Sequence, residues 1–110
     1  MTTIEVKEML EQLNIPLAYH HFPASKSPKL PFMAYNYPSI NPFYADSTNY
    51  KNIVDLDIRL CTETKNFELE KELEDILTAH DIPFWKTETW IDEEKMFEIL
   101  YECEVMINGN

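Results

Sequence analysis

The stretch Lys95–Ile107, KMFEILYECEVMI, decides how this chain is read. From Phe97 to Ile107 every odd position is apolar, while three of the even positions are glutamates. A strand has period two, so Phe97, Ile99, Tyr101, Cys103, Val105 and Ile107 fall on one side and Glu98, Glu102 and Glu104 on the other. One side builds a core. The other is an acidic face, either the wet side of a half-buried sheet or a surface with a purpose.

Working outward, Val54, Leu56, Ile58 and Leu60 alternate with Asp55, Asp57, Arg59 and Cys61, which predicts a second half-buried strand. Between the two strands, ETKNFELEKELEDILTAHD carries Leu69, Leu73, Ile76 and Leu77 on one helical stripe, capped by Thr64 or Asn66. IPFWKTETWI is a strand that enters the acidic turn DEE. Upstream, TTIEVKEMLEQLN is a helix with Thr2 and Glu5 at capping-box spacing and Val6, Met9, Leu10 and Leu13 on its stripe, stopped by Asn14 and Pro16. PLAYHHF is a short strand, PASKSPKLP a loop, and FMAYNYPSI a strand placed at an edge because Pro38 cannot donate to a ladder.

The order α-β-β-β-α-β-β predicts an α+β fold, with two helices on one face of a mixed, mostly antiparallel sheet of four to five strands. It forms a single domain over 1–110 with an extended loop at about 41–52. A faint echo runs at an offset of 67 residues: Val6 matches Leu73, Leu10 matches Leu77, and Ile15-Pro16 matches Ile82-Pro83.

Twenty acidic residues against nine basic ones give a formal charge of -11, which argues against a nucleic-acid binder and against anionic membranes. The one glycine is Gly109, so loops that cradle phosphates are excluded and no cofactor is expected. Cys61 and Cys103 lack metal-ligand spacing and are read as reduced thiols. No stretch approaches the roughly 20 apolar residues of a membrane span, and the expectation is a soluble protein that stays where it is made.

Candidate sites are few. Adjacent strand residues such as His20 and His21 point to opposite faces and cannot share an ion without a bulge or turn. His80 suits the end of a helix. Glu68, Glu70, Glu72, Glu74 and Asp75 are expected on a helix surface, and Asp92, Glu93 and Glu94 in a solvated turn. Trp85 and Trp90 lie five residues apart on opposite faces, which predicts one in the core and one as an interface anchor. Tyr35, Tyr37, Phe43, Tyr44 and Tyr50 crowd in and beside the long loop, making Phe43, Tyr44 and Tyr50 the candidate subunit or partner contacts. No catalytic or metal-binding residue is assigned.

The segment from Ile53 to Ile107 resembles the tail-terminator, or tail-completion, proteins of long-tailed bacteriophages and prophages. The features that carry the resemblance are the alternating strand Val54 to Thr62, the E-x-x-L-type helix Glu68 to Ile76, and the acidic turn and strand Asp92 to Val105. The opening helix and LPFMAYNY fit the same pattern. The resemblance implies a structural protein, not an enzyme, that assembles in the bacterial cytoplasm as a ring, usually hexameric, on the last ring of the tail tube. There it stops polymerisation and meets the head connector at the virion neck, while DNA passes through the lumen without specific binding. An acidic lining of Glu98, Glu102 and Glu104 suits such a channel. Rival expectations are another neck or head-completion component, an acidic inhibitor that mimics DNA toward a host protein, and a small enzyme using His20 or His21.

Overall fold

In the computed structural model, which describes residues 1–39 and 52–108, the chain order is the predicted one. Helix α1 spans Thr3–Glu11 and begins with a full capping box: the Thr2 hydroxyl accepts from the Glu5 N–H at 3.1 Å, and the Glu5 carboxylate accepts from the Thr2 N–H at 2.7 Å. Strand β1 is Leu17–Tyr19 and β2 is Phe32–Asn36; a single 3-10 turn, Ala24–Lys26, lies between them. Strand β3 runs Asn52–Thr62, α2 Phe67–Ala79, β4 Phe84–Ile91 and β5 Met96–Ile107. Asn66 caps α2, accepting from the Leu69 N–H at 3.0 Å.

The echo has a structural counterpart. Each helix is followed by a residue in the left-handed region, Asn14 with φ 58° and Asp81 with φ 57°. Ile-Pro then turns the chain into an edge strand, β1 in the first case and β4 in the second. Asn and Asp tolerate that conformation better than other residues with a Cβ, so the two stops need no glycine.

One five-stranded mixed sheet, ordered β1-β2-β3-β5-β4, carries the fold, with only β1 and β2 parallel. The α+β expectation therefore holds. The placement of β2 at an edge does not: β1 flanks it, and Pro38 falls beyond the end of the strand at Asn36, where its missing N–H costs the ladder nothing. The long strands β3 and β5 form the centre, paired from Asn52↔Ile107 to Thr62↔Phe97. Val54, Leu56, Ile58 and Leu60 of β3 and Ile99, Tyr101, Val105 and Ile107 of β5 turn toward the helices, where they meet Val6, Met9 and Leu10 of α1 and Leu73 and Leu77 of α2. Both helices lie on this side. Among the described residues no α-helix covers the opposite face of β3 and β5, and the charges of those two strands project there.

Candidate functional site: the acidic open face

On the open face the register sets Asp55 opposite Glu104 and Asp57 opposite Glu102. Like charges directly across two strands destabilise a sheet, by roughly 0.2–1 kcal/mol per pair. Among the described residues one cation, Arg59, answers them. Arg59 stands 3.8 Å from Asp57 and 3.9 Å from Glu98, and it donates to the Asn36 side chain at 2.8 Å. The two ionic contacts are long and contribute little. Partial burial pushes the Asp57 carboxyl above its ordinary range; Arg59 opposes that shift, and Glu102 and Asp55 add to it. Asp55 accepts a hydrogen bond from the Ser39 hydroxyl at 3.1 Å. Glu98, Glu102 and Glu104 thus share one face with Asp55 and Asp57, Glu98 half-buried beside Arg59 and the other two glutamates exposed.

Around this patch lie exposed apolar groups. Ile53 and Met106 pair across the strands at one end, and Trp85, 76% exposed, projects beside its register partner Glu102. Neither tryptophan is in the core, contrary to the expectation from their spacing. Trp90 remains 45% exposed on the helix side, its ring edge-on to Phe97 at 4.9 Å and its indole N–H donating to Asp92 at 3.3 Å. The reason is topological: β4 is an edge strand, and α2 covers only part of its inner face.

The two adjacent histidines follow β1 where His20 turns left-handed, with φ 70°, so the chain supplies the turn that lets their rings meet at an Nδ1 to Nδ1 distance of 2.8 Å. They line a shallow cleft of about 300 Å3 at the other end of the open face, together with Phe22, Phe32, Cys61 and Glu98. Among the described residues no group of three or more His, Cys, Asp or Glu is placed to hold a metal ion. His80 caps α2, its ring nitrogen 2.9 Å from the Ile76 carbonyl. Cys61 and Cys103 are free and buried on opposite faces of neighbouring strands, and burial pushes both thiols up to about 12. The candidate contacts Phe43, Tyr44 and Tyr50 lie outside the described residues; Tyr35 and Tyr37 pack with Tyr19 into an aromatic cluster with centroids 5.2–6.3 Å apart.

Sequence reasoning placed Glu70 on the helix surface, yet it is 1% exposed. Lys65 and Lys86 reach it at 2.8 and 2.7 Å, while Lys65 also pairs with Glu88 and Lys86 with Glu74. The Tyr101 hydroxyl donates to Glu74 at 2.8 Å. Burial alone would raise the Glu70 carboxyl; the two ammonium groups outweigh it and hold the group below its ordinary value. The signal was present: Glu70, Leu73 and Leu77 are spaced i, i+3, i+7, so position 70 lies inside the apolar arc.

No protein-family model, curated protein or solved structure matches this chain. Among the described residues, no helix is long and apolar enough to cross a membrane. What the arrangement offers is electrostatic: a negative field over one sheet face, framed by aromatic and aliphatic contacts and bounded by two strand edges.

Proposed function

We propose that this chain is a structural protein of a phage or prophage, which closes as a ring on the end of the tail tube, stops its polymerisation and forms the joint to the head connector. The observation that carries this is the pair of cross-strand carboxylate couples, Asp55 with Glu104 and Asp57 with Glu102, on the helix-free face. Their mutual repulsion weakens the two central strands, so a reason to keep them must lie in what the face meets. A ring that turns this face inward repels phosphates, and DNA slides past without sticking. Among the described residues β1 and β4 are the outer strands of the sheet, which supports ring closure, because a head-to-tail contact whose rotation closes yields a cyclic assembly. The chain acts in the bacterial cytoplasm during assembly and at the virion neck thereafter. Electron microscopy of the purified protein with purified tail tubes tests this: rings seated at one tube end are expected, and tubes that stay bare at saturating protein refute it.

A second reading is favoured by one feature of the same face. Asp55 and Asp57 on β3 and Glu102 and Glu104 on β5 form two parallel rows of carboxylates, spaced about 6.6 Å along each strand. An acidic inhibitor that imitates a nucleic-acid backbone presents charge in such rows. Retention of a basic host nuclease on the immobilised protein, released by duplex DNA, would establish that reading in place of the first.

A further inference from the structure

We infer that His20 and His21 form a two-nitrogen chelate for copper(II), a divalent ion that favours square-planar or tetragonal coordination, in the cleft at the end of the open face. Ring assembly plays no part in it.

The turn that joins the two rings is a costly one. His21 donates its backbone N–H to the Tyr19 carbonyl at 2.8 Å, closing a three-residue turn centred on His20, whose φ is 70°. A γ-turn with a positive central φ is the rare and strained form. Glycine adopts such a φ readily, yet histidine stands there in a chain whose only glycine is Gly109. Two further contacts hold the conformer on either side: the His20 N–H donates to the Tyr35 carbonyl at 2.6 Å, and the Phe22 ring packs edge-on against Phe32 with centroids 5.3 Å apart. Strain that the surroundings over-determine in this way points to use. What the turn achieves is to cancel the opposite facing of adjacent strand residues, so that both imidazoles reach one cleft with their Nδ1 atoms 2.8 Å apart.

Two neutral imidazoles in contact through Nδ1 share one proton, one nitrogen donating and the other accepting. The same span suits a metal. Two nitrogens bound at about 2.0 Å and at right angles lie about 2.8 Å apart, whereas tetrahedral angles separate them by about 3.3 Å. The pair therefore matches neighbouring corners of a square-planar ion better than a zinc tetrahedron, and copper(II) binds nitrogen ligands most tightly among the first-row divalent ions. Both rings are exposed, so each can turn its lone pair onto a shared ion, while the proton between them moves to the outward Nε2 of the ring that carried it. Charge favours a cation. Glu94 and Glu98 line the cleft with the histidines, and Arg59, which also lines it, is taken up by Glu98 at 3.9 Å and Asp57 at 3.8 Å. Among the described residues no third His, Cys, Asp or Glu is placed to complete a ligand set, so the remaining positions fall to water and the ion is exchangeable.

Copper(II) chloride titrated into the full chain, followed by calorimetry and pulsed electron paramagnetic resonance, tests the site. One ion per chain is expected, with echo modulation from two imidazoles. H20Q and H21Q should each leave a single imidazole and weaken binding at least about tenfold, because the second ligand is no longer supplied within the same molecule. H80Q, which alters a histidine outside the cleft, should change neither readout. H20G separates ligation from folding: glycine accepts the left-handed turn, so this variant should melt no lower than the parent without metal, yet show one imidazole with it. Zinc(II) should bind at least about tenfold more weakly than copper(II). A spectrum with one imidazole or none in the parent, parent-like affinity in H20Q or H21Q, or zinc(II) bound as tightly as copper(II) would overturn the inference. Binding that survives H20Q/H21Q would mark an adventitious ion only, and would overturn it equally.

Discussion

Substituting Glu70 by glutamine should destabilise the fold by about 2 kcal/mol at neutral pH. The side chain is 1% exposed and receives Lys65 and Lys86 at 2.8 and 2.7 Å. Two charge-assisted hydrogen bonds of roughly 1.5–3 kcal/mol each are lost. That sum is an upper bound, because both lysines are partly exposed and each keeps a second carboxylate, Glu88 for Lys65 and Glu74 for Lys86. Discounting by about half for their resolvation gives ~2 kcal/mol, or about a 10 °C fall in Tm for a chain of this size. The pH dependence isolates the cause. The folded-state carboxyl titrates below its ordinary value of 4.5, so its contribution is fully present above that value and is lost as pH falls through the lower folded one. Urea unfolding of parent and E70Q from pH 7 to pH 3 should show a gap that narrows only below about 4.5. A gap under ~0.5 kcal/mol at pH 7, or one that stays constant on acidification, would refute the reasoning.

Asp57→Asn should have the opposite sign. The folded-state carboxyl is raised above 3.8, so the parent loses stability as pH rises through that window; D57N should be more stable by about 0.5 kcal/mol at pH 7, and urea midpoints should converge below pH 3.8. Cys61 and Cys103, with thiols pushed up to about 12, should resist an aromatic disulfide reagent in the native state and react together on unfolding, with labelling that tracks the urea transition.

Period-two and helical patterns made most of this fold readable. Val54 to Leu60 and Ile99 to Ile107 each sort into a buried and a solvent-side set because a strand with one covered face allows no other arrangement. The capping box at Thr2 and Glu5 was equally legible, since both its hydrogen bonds are local. What escaped reading depended on which strand lies beside which. Trp85 and Trp90 looked like one core and one surface residue, but only the sheet order reveals that β4 is an edge. Glu70 looked like one more surface glutamate because its lysines are Lys65, in the preceding loop, and Lys86, on a strand sixteen residues further on. The facing of Asp55 with Glu104 required the β3 to β5 register, which no single stretch contains.

The buried clamp and the acidic face bear on the same question from opposite sides of the sheet. Lys86 and Glu88 tie the edge strand β4 to α2 and its preceding loop, so the strand with the most exposed aromatic side chain is also anchored by ion pairs. A preorganised edge loses less entropy when another strand pairs with it. Meanwhile repulsion between Asp55 and Glu104, and between Asp57 and Glu102, weakens the central pair of strands without disturbing either edge. Stability is therefore lowered across the acidic face and reinforced along the β4 edge. That division accords with the ring proposed above, in which the acidic face repels phosphates.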